Sequence, residues 1–183
     1  SSTIRTTAIL VGRWAILLGP LPLVATTQAD DLIATKGFAL PEHLEATVWA
    51  QAPMFFNPTN IDVDEQGRVW VAEAVNYRNF KADNDGRMKH EAGDRIVVLE
   101  DTNNDGTADK STVFVQDVDL VAPLGIAVFD NRVIVACSPS LIMYTDNNRD
   151  GRFDACVDKK EVLLTGFGGV DHDHGLHAVV AGP

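Results

Sequence analysis

The chain has 183 residues, 45% of them hydrophobic, and a formal net charge of -11. That is enough apolar material for one medium-sized domain with its own core, and the composition is neither disordered nor collagen-like. The acidity excludes a nucleic-acid or anionic-lipid binder and suits cations and neutral substrates such as sugars or alcohols, while most of it serves solubility.

Arg5 and Arg13 lead into an apolar run from Trp14 to Val24, and small residues follow, with Thr27 and Ala29 placed for cleavage before Asp30. This order predicts a signal peptide over residues 1–29 and an exported protein, periplasmic, on the cell surface or secreted. A membrane anchor is the competing reading, but the run is short for a bilayer and is broken by Gly19, Pro20 and Pro22. Loss of residues 1–29 removes Arg5 and Arg13 and no acid, taking the charge from -11 to -13. The chain has no initiator Met, and Ala181-Gly182-Pro183 stands where a turn is due. Residues 30–183 therefore read as the N-terminal part of a longer domain.

Residues 30–45 form an entry segment punctuated by Gly37 and Pro41, with room for a short helix. Beyond it the pattern is β. Ile61 to Asp64 and Arg68 to Ala72 alternate around the turn Glu65-Gln66-Gly67, which predicts a hairpin. The design returns at Gly125 to Val128 and Arg132 to Ala136, and a third copy begins at Gly175 to Val180. A second unit also repeats: 95–99 with 112–115, and 141–145 with 161–164, each pair joined by an acidic loop. Four-stranded sets recurring every ~50–65 residues point to an incomplete β-propeller of about two and a half blades. A β-sandwich is the competing architecture. The cysteines, Cys137 and Cys156, are separated by about one strand length, roughly 17 Å, too far for a bridge. Two free thiols are expected.

The loops Asp101-Thr102-Asn103-Asn104-Asp105-Gly106-Thr107-Ala108-Asp109 and Asp146-Asn147-Asn148-Arg149-Asp150-Gly151-Arg152-Phe153-Asp154 share D-x-N-x-D-G-x-x-D. Calcium takes six to eight oxygens at about 2.3–2.6 Å, and alternate side chains in such a loop can point inward. The candidate ligands are Asp101, Asn103, Asp105, the Thr107 carbonyl and Asp109, and likewise Asp146, Asn148, Asp150, the Arg152 carbonyl and Asp154. The closing Glu of an EF-hand is missing, since position 12 is Thr112 or Val157. Asp158 or Glu161 offers a substitute in the second loop. Structural calcium of weak affinity, about 10⁻⁴–10⁻³ M, is expected between strands. An ordinary acidic turn is the plainer reading of either loop taken alone. Asp83-Asn84-Asp85-Gly86 reads as a turn, because Lys81 occupies its first ligand position.

Asp171-His172-Asp173-His174-Gly175-Leu176-His177 holds three of the five histidines and enters the third inner strand. Residue types alone leave three readings: a transition-metal pair, a general base beside a carboxylate, or a hydrogen-bonded turn. Glu73, Asn76, Tyr77 and Arg78 leave the first inner hairpin as a polar cluster, suited to a cofactor or substrate or to a solvated loop.

The Asp171-His172 turn with Gly175 and the following apolar strand resembles soluble quinoprotein glucose dehydrogenase and the sorbosone dehydrogenase-like propellers. The resemblance implies His172 as the base that takes a substrate hydroxyl proton, Asp171 as a neighbour of the cofactor, and pyrroloquinoline quinone as hydride acceptor. Residues 37–183 are closer still to a bacterial family of membrane-bound dehydrogenase N-terminal domains. That likeness rests on Asn57 to Val63, Val69 to Arg78, both acidic loops and the histidine turn. Relatives often continue into a c-type cytochrome, which implies such a domain or protein as electron acceptor, although no C-x-x-C-H motif occurs here. Two functions follow: an exported oxidoreductase acting on a sugar or alcohol hydroxyl, or a calcium-stabilised binding or scaffold propeller without chemistry. Hydrolase and nucleotide signatures are missing.

Overall fold

The computed structural model describes residues 38–78, 89–168 and 175–180. It is all-β: β1 (Pro58–Val63), β2 (Val69–Glu73), β3 (Asp94–Glu100), β4 (Lys110–Asp117), β5 (Gly125–Phe129), β6 (Arg132–Cys137), β7 (Ser140–Thr145) and β8 (Lys159–Thr165). They form two four-stranded antiparallel sheets, each in the simple order β1-β2-β3-β4 or β5-β6-β7-β8. The eight strands expected from alternation between residues 61 and 164 are present. The short helix allowed in the entry segment does not form over 38–45, where the chain only turns. Residues 175–180 follow an irregular path instead of an assigned strand. The signal segment, the Asp83–Gly86 turn and residues 169–174 lie outside the described residues.

Local chemistry fixes the hairpins. The Asp64 carboxylate accepts the N–H groups of Gln66 and Arg68, the Arg68 Nε–H at 2.6 Å and the Trp70 indole N–H at 2.8 Å. Gly67 turns the chain at φ 79°, a region where a side chain is strained. One carboxylate thus closes the turn and orients the first core aromatic.

The hydrophobic alternation faces both ways. On β2 and β3, Val69, Val71, Val97 and Leu99 pack on Trp49, Ala50 and Phe55, which continue the entry segment toward β1. Their neighbours Trp70, Ala72, Ile96 and Val98 face the second sheet and join Val133, Val135, Ile142 and Tyr144 in the larger core. Phe114 meets Trp70 edge to face at 5.0 Å. It sits at a one-residue bulge on β4 opposite Ile96 and Val97, and β8 carries the same irregularity opposite Leu141 and Ile142. The bulge turns two adjacent residues, Phe114 and Val115, into the core.

Polar contacts join the sheets where the strands have free edges. The Val128 N–H of β5 donates to Asp62 of β1 at 2.7 Å, and the Thr59 hydroxyl donates to the Pro123 carbonyl at 2.6 Å. At the outer side the Tyr144 hydroxyl donates to Asp117 at 2.9 Å, and the Lys160 ammonium bridges Asp117 and Asp119 at 2.5 and 2.6 Å. Burial alone would raise the Asp117 pKa. The bonds from Lys160, the Asp119 N–H and Tyr144 outweigh it and hold the carboxyl below its ordinary value. Cys137 is buried and Cys156 exposed, both as free thiols, and burial first of all pushes the Cys137 thiol up to about 12.

A carboxyl whose folded pKa is depressed stabilises the fold above its unfolded pKa, and that contribution is lost as pH falls through the folded value. Lys160→Met removes the main lowering partner of Asp117. Its acid limb of stability, followed by urea denaturation at stepwise pH, should therefore begin at higher pH than the parent's. Coincident acid limbs would show that this bridge contributes nothing between the sheets.

Candidate functional site

The strand directions give the molecule two ends. The β1–β2 and β5–β6 turns and both acidic loops stand at one. At the other are the ends of β2 and β6, the starts of β3, β5 and β7, and the segment 175–180.

At the acidic-loop end the two loops share one framework. Asp101 accepts the N–H groups of Asp105 and Gly106, and Asp146 accepts those of Asp150 and Gly151. Asp105 accepts the Thr107 N–H and Asp150 the Arg152 N–H, each at 2.9 Å. The Asn103 and Asn148 amides each donate to the aspartate two residues on. Asn104 and Arg149 both adopt the left-handed region, at φ 59° and 60°, as do Gly106 and Gly151. Such a match between separate segments is what a shared sequence pattern imposes when each short side chain satisfies the nearest N–H.

The loops differ at their closing residue. Asp109 accepts the Thr102 N–H and hydroxyl, a set that holds its carboxyl below the ordinary range. In the second loop the equivalent bond runs from the Asn147 N–H to Asp158 at 2.8 Å. Asp154, expected at the ninth position, instead opens a turn over 154–158 and accepts the Cys156 N–H. The matching signal was the Asp-Lys pair, Asp109-Lys110 and Asp158-Lys159, which sets the strand register. Oxygen donors of the kind calcium prefers line both loops. No group of three or more His, Cys, Asp or Glu is gathered as a metal cage among the described residues.

Each loop also reaches outside its own sheet. At the eighth position the Ala108 N–H donates to the Trp49 carbonyl, and the Phe153 N–H donates to the Phe114 carbonyl, both at 2.7 Å. Phe153 then stands edge to face on Tyr144 at 5.1 Å. Beside the loops, Gln66 and Arg68 border two open clefts of about 310 and 470 Å³.

At the opposite end the polar cluster divides. Glu73 is fully buried, accepts the Phe56 N–H at 2.8 Å and holds Arg95 through two bonds at 2.6 and 3.0 Å. The Asn76 amide exchanges bonds with the backbone of His90. Its own N–H, with that of Ala122, bonds to Asp94. Burial raises the Asp94 pKa against the lowering effect of those N–H groups. Glu73 and Asn76 are thus committed to fixing the strand ends. The Tyr77 ring lies under the Arg78 guanidinium at 5.1 Å, an aromatic and a cation side by side. Alternation singled out neither Asp94 nor Arg95, because they open a strand and their partners are about 20 residues away in sequence.

Asp171 and His172 lie outside the described residues. A few residues later in the chain, the Leu176 N–H donates to the Ser138 hydroxyl at 2.8 Å. The His177 carbonyl passes so close to Gly125 that a Cβ there would stand 2.3 Å from it.

Residues 33–183 match the family model described as Domain of unknown function (DUF7133). The chain belongs to the DUF7133 family. No curated protein matches it. Two solved structures are similar to this DUF7133 chain, the iodide and calcium structures of Trichoderma reesei Carbohydrate-Active Enzymes Family AA12. Each has 17% identity and a TM-score of 0.37, over 57% of this chain and 22% of that one. Likeness at that level carries no argument about activity.

The Glu73–Arg95 pair makes the sharpest test of this end. Arg95→Met leaves a buried carboxylate with only the Phe56 N–H and should cost about 3–5 kcal/mol in urea denaturation. Adding Glu73→Gln, which keeps an acceptor for that N–H, should recover part of the loss. A single variant as stable as the parent would remove the pair from the fold's essential contacts.

Proposed function

We propose that this DUF7133 chain is the N-terminal part of an exported β-propeller oxidoreductase that oxidises a sugar or alcohol hydroxyl, with calcium as a structural ion. The carrying observation is that Leu176 and His177, which end the histidine-rich stretch of the sequence, are held at Ser138 and across Gly125 of β5. Residues 176 and 177 thus lie beside β5 and β6, at the end remote from the acidic loops, where a propeller opens its channel. Two sheets in the same simple order also favour blades over a sandwich, whose connections cross between sheets.

In this reading His172 accepts the hydroxyl proton of the substrate, and Asp171 lies beside the cofactor. Pyrroloquinoline quinone, when bound, would supply the acceptor for the two electrons and the hydrogen leaving carbon. Of the described residues at that end, the stacked Tyr77 ring and Arg78 guanidinium are of the types that suit an aromatic polycarboxylate. Glu73 and Asn76 serve by holding Arg95 and the backbone at residue 90. A c-type cytochrome is the proposed onward acceptor. The commitment of Glu73 and Asn76 to protein partners favours the second reading, a binding or scaffold propeller without chemistry.

The oxygen donors and repeated framework of both loops fit calcium. With a dissociation constant of about 10⁻⁴–10⁻³ M, 10 mM calcium should stabilise the protein by about 1.4–2.7 kcal/mol per site over chelator. Asp101→Asn and Asp146→Asn should each remove part of that gain in thermal unfolding. An unfolding temperature indifferent to calcium and chelator sinks the metal assignment. His172→Ala in the full protein, supplied with quinone, calcium and a dye acceptor, should lower kcat by about 10²–10⁴-fold. Undiminished turnover would exclude His172 as the base. If the parent takes up no quinone and oxidises no sugar or alcohol, the scaffold reading replaces this one.

A further inference from the structure

The two sheets share a register as well as a strand order. Superposing β2–β4 on β6–β8 through their pairing sets Trp70 on Ile134, Ile96 on Leu141, Val98 on Met143 and the bulge residue Phe114 on Leu163. Val115 then falls on Leu164. In the first sheet these five positions are at most 4% exposed, because the second sheet covers them. In the second sheet Ile134, Leu141 and Met143 are half-buried, and Leu163 and Leu164 are 40% and 56% exposed. The same apolar face is therefore made twice and covered once.

Two further features repeat across the seam. The Phe114 carbonyl at the first bulge takes the Phe153 N–H from the neighbouring sheet's acidic loop. Its counterpart at the second bulge is the Leu163 carbonyl. Along the inner side, β5 lies against β1 through the Asp62 and Thr59 bonds. Residues 175–180 in turn lie against β5 at Gly125.

We infer that the outer face of the second sheet is a docking face for a third four-stranded sheet of the same repeat, with residues 175–180 as its innermost strand. An acidic loop of that sheet would donate its eighth-position N–H to the Leu163 carbonyl. A second copy of the chain is a poorer occupant. The side of its first sheet that would have to meet this face is already covered by Trp49, Ala50 and Phe55. The inference stands on register and exposure and does not depend on the oxidoreductase reading.

The test uses the full natural protein. Val162 is the internal reference, since its counterpart Val113 stays 39% exposed in the covered first sheet. Hydroxyl-radical footprinting of the unsubstituted protein should modify Leu163 and Leu164 at least about tenfold more slowly than Val162, as for a face closed nine-tenths of the time. A photo-crosslinking residue in place of Leu164 should then join, within one monomer, to peptide at or beyond residue 175. Equal modification of the three residues overturns the inference. So does a cross-link between two copies or to another protein.

Discussion

A β-sheet that is apolar on both faces has no side to turn to water, and this constraint governs the molecule. In the first sheet Val69, Val71, Val97 and Leu99 point one way, and Trp70, Ala72, Ile96 and Val98 the other. Burial of each such side chain is worth about 1.5–3 kcal/mol, which only a neighbour on either side can supply. Trp49, Ala50 and Phe55 provide one neighbour and the second sheet the other. The strand edges brought together by this stacking cannot pair with each other, so side chains take over: Asp62 and Thr59 on the inner side, and Asp117, Tyr144 and Lys160 on the outer.

The strands were legible from alternation because period two with turn residues at the breaks is a local signal, as at Ile61 to Ala72. The repeat of the acidic loops was equally plain, and their hydrogen bonds coincide almost atom for atom. What alternation could not reveal was anything made between distant segments. The exchange of Asp154 for Asp158 as counterpart of Asp109 follows from strand register, which a motif counted from its own first residue ignores. The same holds for Glu73 and Asn76. Their density in the sequence suggested a ligand, while in space they face Arg95 and the backbone of His90.

Chemistry is sorted between the two ends. The acidic loops occupy one end, where their eighth residues bond to Trp49 ahead of β1 and to Phe114 of the neighbouring sheet. The starts of β3, β5 and β7 occupy the other end, with Tyr77, Arg78 and residues 175–180. That end is fastened too, by Thr59 to the Pro123 carbonyl and by the Ala122 N–H to Asp94, the kind of fixed scaffold on which loops bear function.

The missing side chain at Gly125 reaches further than the strand that contains it. Only a hydrogen atom separates β5 from the His177 backbone there, and a methyl group would stand 2.3 Å from that carbonyl oxygen. The path of the chain at His177 is therefore dictated from below, by an atom that is not present. Enlarging this one residue would lift the chain at His177 away from β5 while every imidazole stayed in the sequence.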